Sequence, residues 1–145
     1  MEEGADRDRI QLTVDPESGA VVRLSSKLRE YNLSQVPQEP PCGLLLSMED
    51  DSGELLAGLY GHLSYSWLMV EVLWVSEHIR KQGYGKQLIK RAERYAREHG
   101  CQAVWLDTFS FQARGFYEKL GYVIFGELPN YPNGHCRYFL WKQLD

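Results

Sequence analysis

Nine consecutive residues, Trp67 to Val75, limit the folds open to this chain. Eight of them are apolar and only Glu71 carries a charge. In an unbroken strand Trp67, Met69, Glu71, Leu73 and Val75 share one face, and Leu68, Val70, Val72 and Trp74 share the other. Apolar side chains on both faces need cover on both, so the run predicts a central strand inside a layered sheet. It is too short to span a bilayer.

The residues downstream of that strand predict the layers. Leu88, Ile89, Ala92, Tyr95 and Ala96 recur at helical spacing between Gly83 and His99, and Gly100 stands where a left-handed cap would end the helix. Ala103 to Leu106 then predicts a strand, Gln112 to Leu120 a short helix ended by Gly121, and Tyr122 to Phe125 another strand. Pro132-Asn133-Gly134 turns the chain into a closing strand, Cys136 to Lys142. Upstream, Leu44 to Met48 and Leu55 to Leu63 flank Asp50-Asp51-Ser52-Gly53 as a hairpin, and Gln35 to Pro41 is a proline-rich loop. A helix over Val21 to Asn32, with Leu24 and Leu28 on one face, is less sharply marked. Ile10 to Val14 alternates like a strand, closed by a turn at Asp15-Pro16. The expected fold is α/β (α+β): a mixed, mostly antiparallel central sheet flanked by helices, in one domain over residues 1–145.

Composition narrows the function classes. At 145 residues, 43% hydrophobic and 25% charged, the chain can bury one core. A net charge of -4 argues against wrapping nucleic acid or an anionic membrane, and the acidic Glu2, Glu3, Asp6 and Asp8 read as a solvated lead-in. Cys42, Cys101 and Cys136 are odd in number and far apart, which fits a reducing, cytoplasmic setting. Neither they nor His62, His78, His99 and His135 have metal-ligand spacing, so no metal is expected.

The start of the long helix suggests a ligand. The first N–H groups of a helix lack partners within it, and Ser, Thr, Asp or Asn usually caps them. Here the chain reads Arg80-Lys81-Gln82-Gly83-Tyr84-Gly85-Lys86, with no such cap, two glycines and three cations. Glycines admit a ligand close to the backbone, and a positive helix end favours phosphate. A Walker loop fails, because Gln87 follows Lys86 where Ser or Thr is needed and Arg80 occupies the first glycine position. A dinucleotide loop, with Asp107 as the ribose acid, fits poorly: Leu88 replaces its third glycine and Ser76 to Gln82 separates the loop from its strand.

Arg80-Lys81-Gln82-Gly83-Tyr84-Gly85 resembles the signature of the GNAT superfamily of acetyl-CoA-dependent N-acetyltransferases, namely Gln or Arg, two residues, Gly, one residue, Gly or Ala. Leu73-Trp74-Val75 stands the usual short loop upstream, and Phe116 to Tyr122 resembles the family's second cofactor-side motif. The resemblance runs from about Leu55 to the C-terminus. It implies that the backbone of Leu73, Trp74 and Val75 binds the pantetheine arm and thioester of acetyl-CoA, the cosubstrate. It also implies that Arg80, Lys81, Gln82, Gly83, Tyr84, Gly85 and Lys86 cradle the pyrophosphate, with Lys81 or Lys86 meeting the cofactor's other phosphate. Ser110 stands where the family often has Asn, which weakens or alters a cofactor contact.

Acetyl transfer needs a free amine, a donor to the thioester oxygen and a proton for the departing thiolate. By resemblance the Val75 N–H is the oxygen donor and Tyr117 the thiolate's donor. Glu71, the lone charge in the strand, is the candidate base; His62, His135 or a water chain are alternatives. Tyr60, Tyr65, Trp67 and Tyr131 read as core or pocket wall. A small-molecule amine is the expected acceptor, because little chain remains for a protein-docking surface. Acetylation of a protein or peptide, and a non-catalytic acyl-CoA sensor, are the competing classes. A homodimer through the C-terminal strands stays open.

Overall fold

The computed structural model describes residues 9–37 and 40–145. The acidic lead-in up to Asp8, and Gln38 and Glu39 of the proline-rich segment, lie outside the described residues. The chain divides into two compact units at that segment.

In the first unit the helix is longer than the sequence suggests: α1 spans Ser18–Gln35. The strand expected over Ile10 to Val14 does not form. Alternation alone cannot hold a strand whose backbone groups find no ladder, and these residues pair with none of the described strands.

The second unit contains β1 (Cys42–Glu49), β2 (Leu55–Ser64), β3 (Trp67–Val75), α2 (Tyr84–Glu98), β4 (Ala103–Phe109), α3 (Arg114–Lys119), β5 (Val123–Pro129) and β6 (Cys136–Gln143). The six strands form one sheet in the order β1-β2-β3-β4-β6-β5. Among the described residues only the β3–β4 pair is parallel. This is the mixed, mostly antiparallel sheet that the sequence predicts. Between β3 and β4 the chain crosses through α2, as a parallel neighbour requires a long connection and a helix supplies it.

Helix α2 packs on one sheet face. Its Leu88, Ile89, Ala92 and Ala96 join Leu59, Leu68, Val70, Val104, Leu106 and Leu140 in a single core, which Tyr117 of α3 also enters. Within the same face Glu93 is fully buried, and it survives there because it is paired. Lys142 Nζ lies 2.8 Å from Oε2, and the Tyr122 hydroxyl donates to the same oxygen at 3.2 Å. A buried carboxylate without such partners would cost several kcal/mol, on the order of 3–5. Among the described residues no helix is long and apolar enough to cross a membrane, and no group of ligands could hold a metal ion.

Candidate active site

Two irregularities in β3 build the site. The first is a bulge. Tyr60 of β2 stands opposite Val72, but the next residue, Gly61, stands opposite Val70, so Glu71 has no partner across the ladder. A side chain at position 61 would collide with the Met69 carbonyl oxygen, which explains the glycine.

The bulge reverses the alternation of the strand. Before it, Leu68 and Val70 are buried under α2; after it, Leu73 and Val75 pack on that core, while Val72 and Trp74 are exposed. The expectation that Glu71 shares a face with Leu73 and Val75 is therefore corrected. An extra residue in one strand shifts everything beyond it by half a pleat. Glu71 lies instead beside His62, whose Nδ1 is 3.0 Å from Oε1. Two residues that the sequence offers as alternative bases are thus in contact.

The second irregularity is a fork. Strands β3 and β4 pair only from Trp67↔Ala103 to Val70↔Leu106. Beyond that point Asp107, Thr108 and Phe109 continue to pair with β6, while Val72 to Val75 keep only β2. Ser76 donates its N–H to the Leu56 carbonyl on the β2 side. Alternation along an extended backbone then directs the N–H groups of Leu73 and Val75, and the Leu73 carbonyl, into the widening gap. The Val75 carbonyl is held by Arg80, whose Nε donates to it at 2.9 Å.

At the wide end of the fork lies the start of α2. Gly83 is its N-cap with φ 89°, and no side chain caps the helix. The first bond of the helix runs from Gln87 N–H to the Gly83 carbonyl, so the N–H groups of Tyr84, Gly85 and Lys86 have no intrahelical acceptor. Lys81 is also in the left-handed region, at φ 65°. Gly85 is tightly seated: a Cβ there would come within 3.2 Å of the Phe116 ring of α3 and 3.8 Å of Val75. Sheet edge, glycine loop and α3 therefore meet at one end of the sheet.

Tyr117 is buried at that junction, with its ring edge-on to Phe116 and Tyr122. Burial, with the nearby negative charge of Asp107 adding to it, raises its phenol to about 12. Ser110 is committed to the β5–β6 turn. Its hydroxyl accepts from the Cys136 N–H at 3.0 Å and lies 3.3 Å from His135 Nδ1. That turn also carries Tyr131, whose ring lies 5.3 Å from the Arg137 guanidinium. Arg137 in turn donates from Nε to Asp107 at 2.9 Å.

The Asp107–Arg137 pair, the Arg80 latch on Val75 and the Gly61 bulge escape a reading of the sequence. Only Gly61 leaves a signal, as a glycine inside an otherwise well-patterned strand.

The arrangement offers a slot of free strand edge leading from an uncapped, cation-flanked helix start to a carboxylate–imidazole pair. The chain has relatives among known proteins. The acetyltransferase (GNAT) family profile matches residues 9–122, beginning well before the Leu55 at which the motifs become recognisable by eye. Blasticidin-S acetyltransferase of Streptomyces morookaense is 44% identical over 95 residues, which is 65% of this chain and 70% of that protein. An acetyltransferase of Agrobacterium fabrum is 31% identical over 130 residues, 90% of this chain and 93% of its own. The crystal structure of an acetyltransferase from Bacillus cereus superposes with a TM-score of 0.84 at 32% identity, covering 92% of this chain and 98% of that one.

Proposed function

The chain belongs to the GNAT family of acetyltransferases, and from that premise we propose that it passes the acetyl group of acetyl-CoA to a primary amine of a small molecule, by direct attack of the amine on the thioester. The observation that carries this reading is the fork: a strand edge left open beside β3, ending at a helix start without a cap. An extended pantetheine arm fits such an edge as an added strand, using the N–H groups of Leu73 and Val75. The N–H groups of Tyr84, Gly85 and Lys86 suit a pyrophosphate, with Arg80, Lys81 and Lys86 supplying positive charge and Gln82 and Gly83 shaping the loop. Trp74 contributes through its place in the strand, since its backbone faces β2. Ser110 holds the β5–β6 turn to the end of β4.

When bound, acetyl-CoA supplies an activated acyl group. The chain's own residues do the rest. Val75 N–H points into the slot as a donor to the thioester oxygen, where negative charge develops. Glu71, oriented by His62, stands at the narrow end of the fork to accept the proton of the incoming ammonium. Tyr117, neutral at every ordinary pH, can donate a hydrogen bond to the departing sulfur.

The small-molecule acceptor draws support from the relative named for acetylating blasticidin S. Coenzyme A release with a panel of free amines, set against peptide N-termini and lysines, tests it. Turnover with peptides alone would overturn the small-molecule reading. Glu71→Gln tests the base: turnover should fall most at neutral pH and least at high pH, where free amine is abundant. An equal loss at all pH values would assign Glu71 to binding.

A further inference from the structure

Before the fork, the paired halves of β3 and β4 form the floor of a second feature. A cavity of about 330 Å³ is lined by His62, Ser64, Tyr65, Trp67, Met69 and Trp105. Its size lies at the lower end for small-molecule sites, roughly 300–1,000 Å³. A neighbouring cavity of about 280 Å³ shares Trp67 and Trp105 and adds Phe125 and Trp141. Most of the lining residues of the two cavities are thus aromatic. At one end stands His62, and against it the carboxylate of Glu71 at 3.0 Å.

The backbone of the β2–β3 turn adds an independent observation. Tyr65 and Ser66, its two central residues, both have positive φ, 52° and 60°. That turn geometry favours Asn or Gly, and a tyrosine there is strained. The strained residue is the one whose ring walls the cavity. Aromatic faces attract cations, with tryptophan the strongest, and a carboxylate at the rim sets the same sign.

We propose that this cavity is the distal half of the acceptor site, and that the acceptor carries a second, flat cationic group such as a guanidinium, held between Tyr65, Trp67 and Trp105. This rests on the acetyl-transfer reading for the other half of the site. The acceptor's reactive amine reaches Glu71 at the fork while its distal cation lies in the aromatic cavity, so slot and cavity are joined through the His62–Glu71 contact.

Agmatine and N-(4-aminobutyl)urea test the proposal, because guanidinium and urea have the same shape and differ in charge. Calorimetry on the coenzyme A-loaded protein should show agmatine binding about tenfold or more tightly. The same ratio should appear in kcat/KM for acetylation. Tyr65→Gly relieves the turn and should keep the melting temperature near that of wild type, yet bring the ratio close to one. Trp67→Phe, a milder change, should lower it partway, and neither variant should alter coenzyme A affinity. Equal binding of the two compounds by the wild type, or an undiminished preference in Tyr65→Gly, would overturn the proposal. If agmatine binds with this preference but is never acetylated, the cavity stands and the transfer reading falls; if both compounds are acetylated equally, the reverse holds.

Discussion

The phenol of Tyr117 carries the sharpest single-residue consequence. Raised to about 12, it lies about 3–4 units above an ordinary thiol, so full proton transfer to a thiolate is uphill by about 5 kcal/mol. Its proposed contribution is a hydrogen bond that strengthens as charge grows on sulfur. Tyr117→Phe keeps the ring and should lower turnover about a hundredfold with coenzyme A affinity unchanged; wild-type turnover would remove the role. The same shift affects stability. An unfolded tyrosine ionises near pH 10 while the folded one holds its proton to about 12, so the stability linked to Tyr117 is intact below pH 10. It is lost progressively as pH rises towards 12. The melting temperature should therefore fall through that window and fall less in Tyr117→Phe, with a remainder from Tyr122, which burial and Glu93 push upward too. At this scale Tyr117 and Glu71 stand out in the sequence as candidates, because motif order and a lone charge mark them. The structural setting of Asp107 is not, since its partner Arg137 is thirty positions away and only strand pairing brings them together.

Among the elements, β3 shows what pattern can and cannot carry. Its ends, Trp67 and Val75, follow from composition, yet its faces do not, because alternation assumes an unbroken ladder and one unpaired residue exchanges them. The long helix is legible in full, since its apolar spacing is set by the helix alone and needs no distant partner. Ile10 to Val14 fails for the opposite reason. Gly61→Ala tests the bulge: the added carbon meets the Met69 carbonyl, so the variant should lose about 1–3 kcal/mol in denaturant unfolding and lose activity as Glu71 moves. An unchanged midpoint would mean the bulge yields without cost. At the start of α2, Gly83 has open space around the position of a Cβ but a backbone that only glycine adopts freely. Gly83→Val should weaken coenzyme A binding about tenfold or more while leaving a folded protein, and calorimetry showing equal affinity would contradict a phosphate role for this loop.

Across the molecule, one end of the sheet collects the elements of the proposed cofactor side: the open edge of β3, the start of α2, α3 and the β5–β6 turn. The parallel pair makes this so, because β3 and β4 both finish there and each hands the chain to a helix. The aromatic cavity lies towards the other end, where β3 and β4 stay paired, and Glu71, in contact with the cavity-lining His62, stands between it and the slot. On the proposed reading a donor and an acceptor occupy slot and cavity together, and no acyl group has to rest on the protein while one leaves and the other arrives. Initial rates measured over a grid of both substrate concentrations should accordingly give double-reciprocal lines that intersect. Parallel lines would mean a covalent relay, which a strand fork of this kind makes unnecessary.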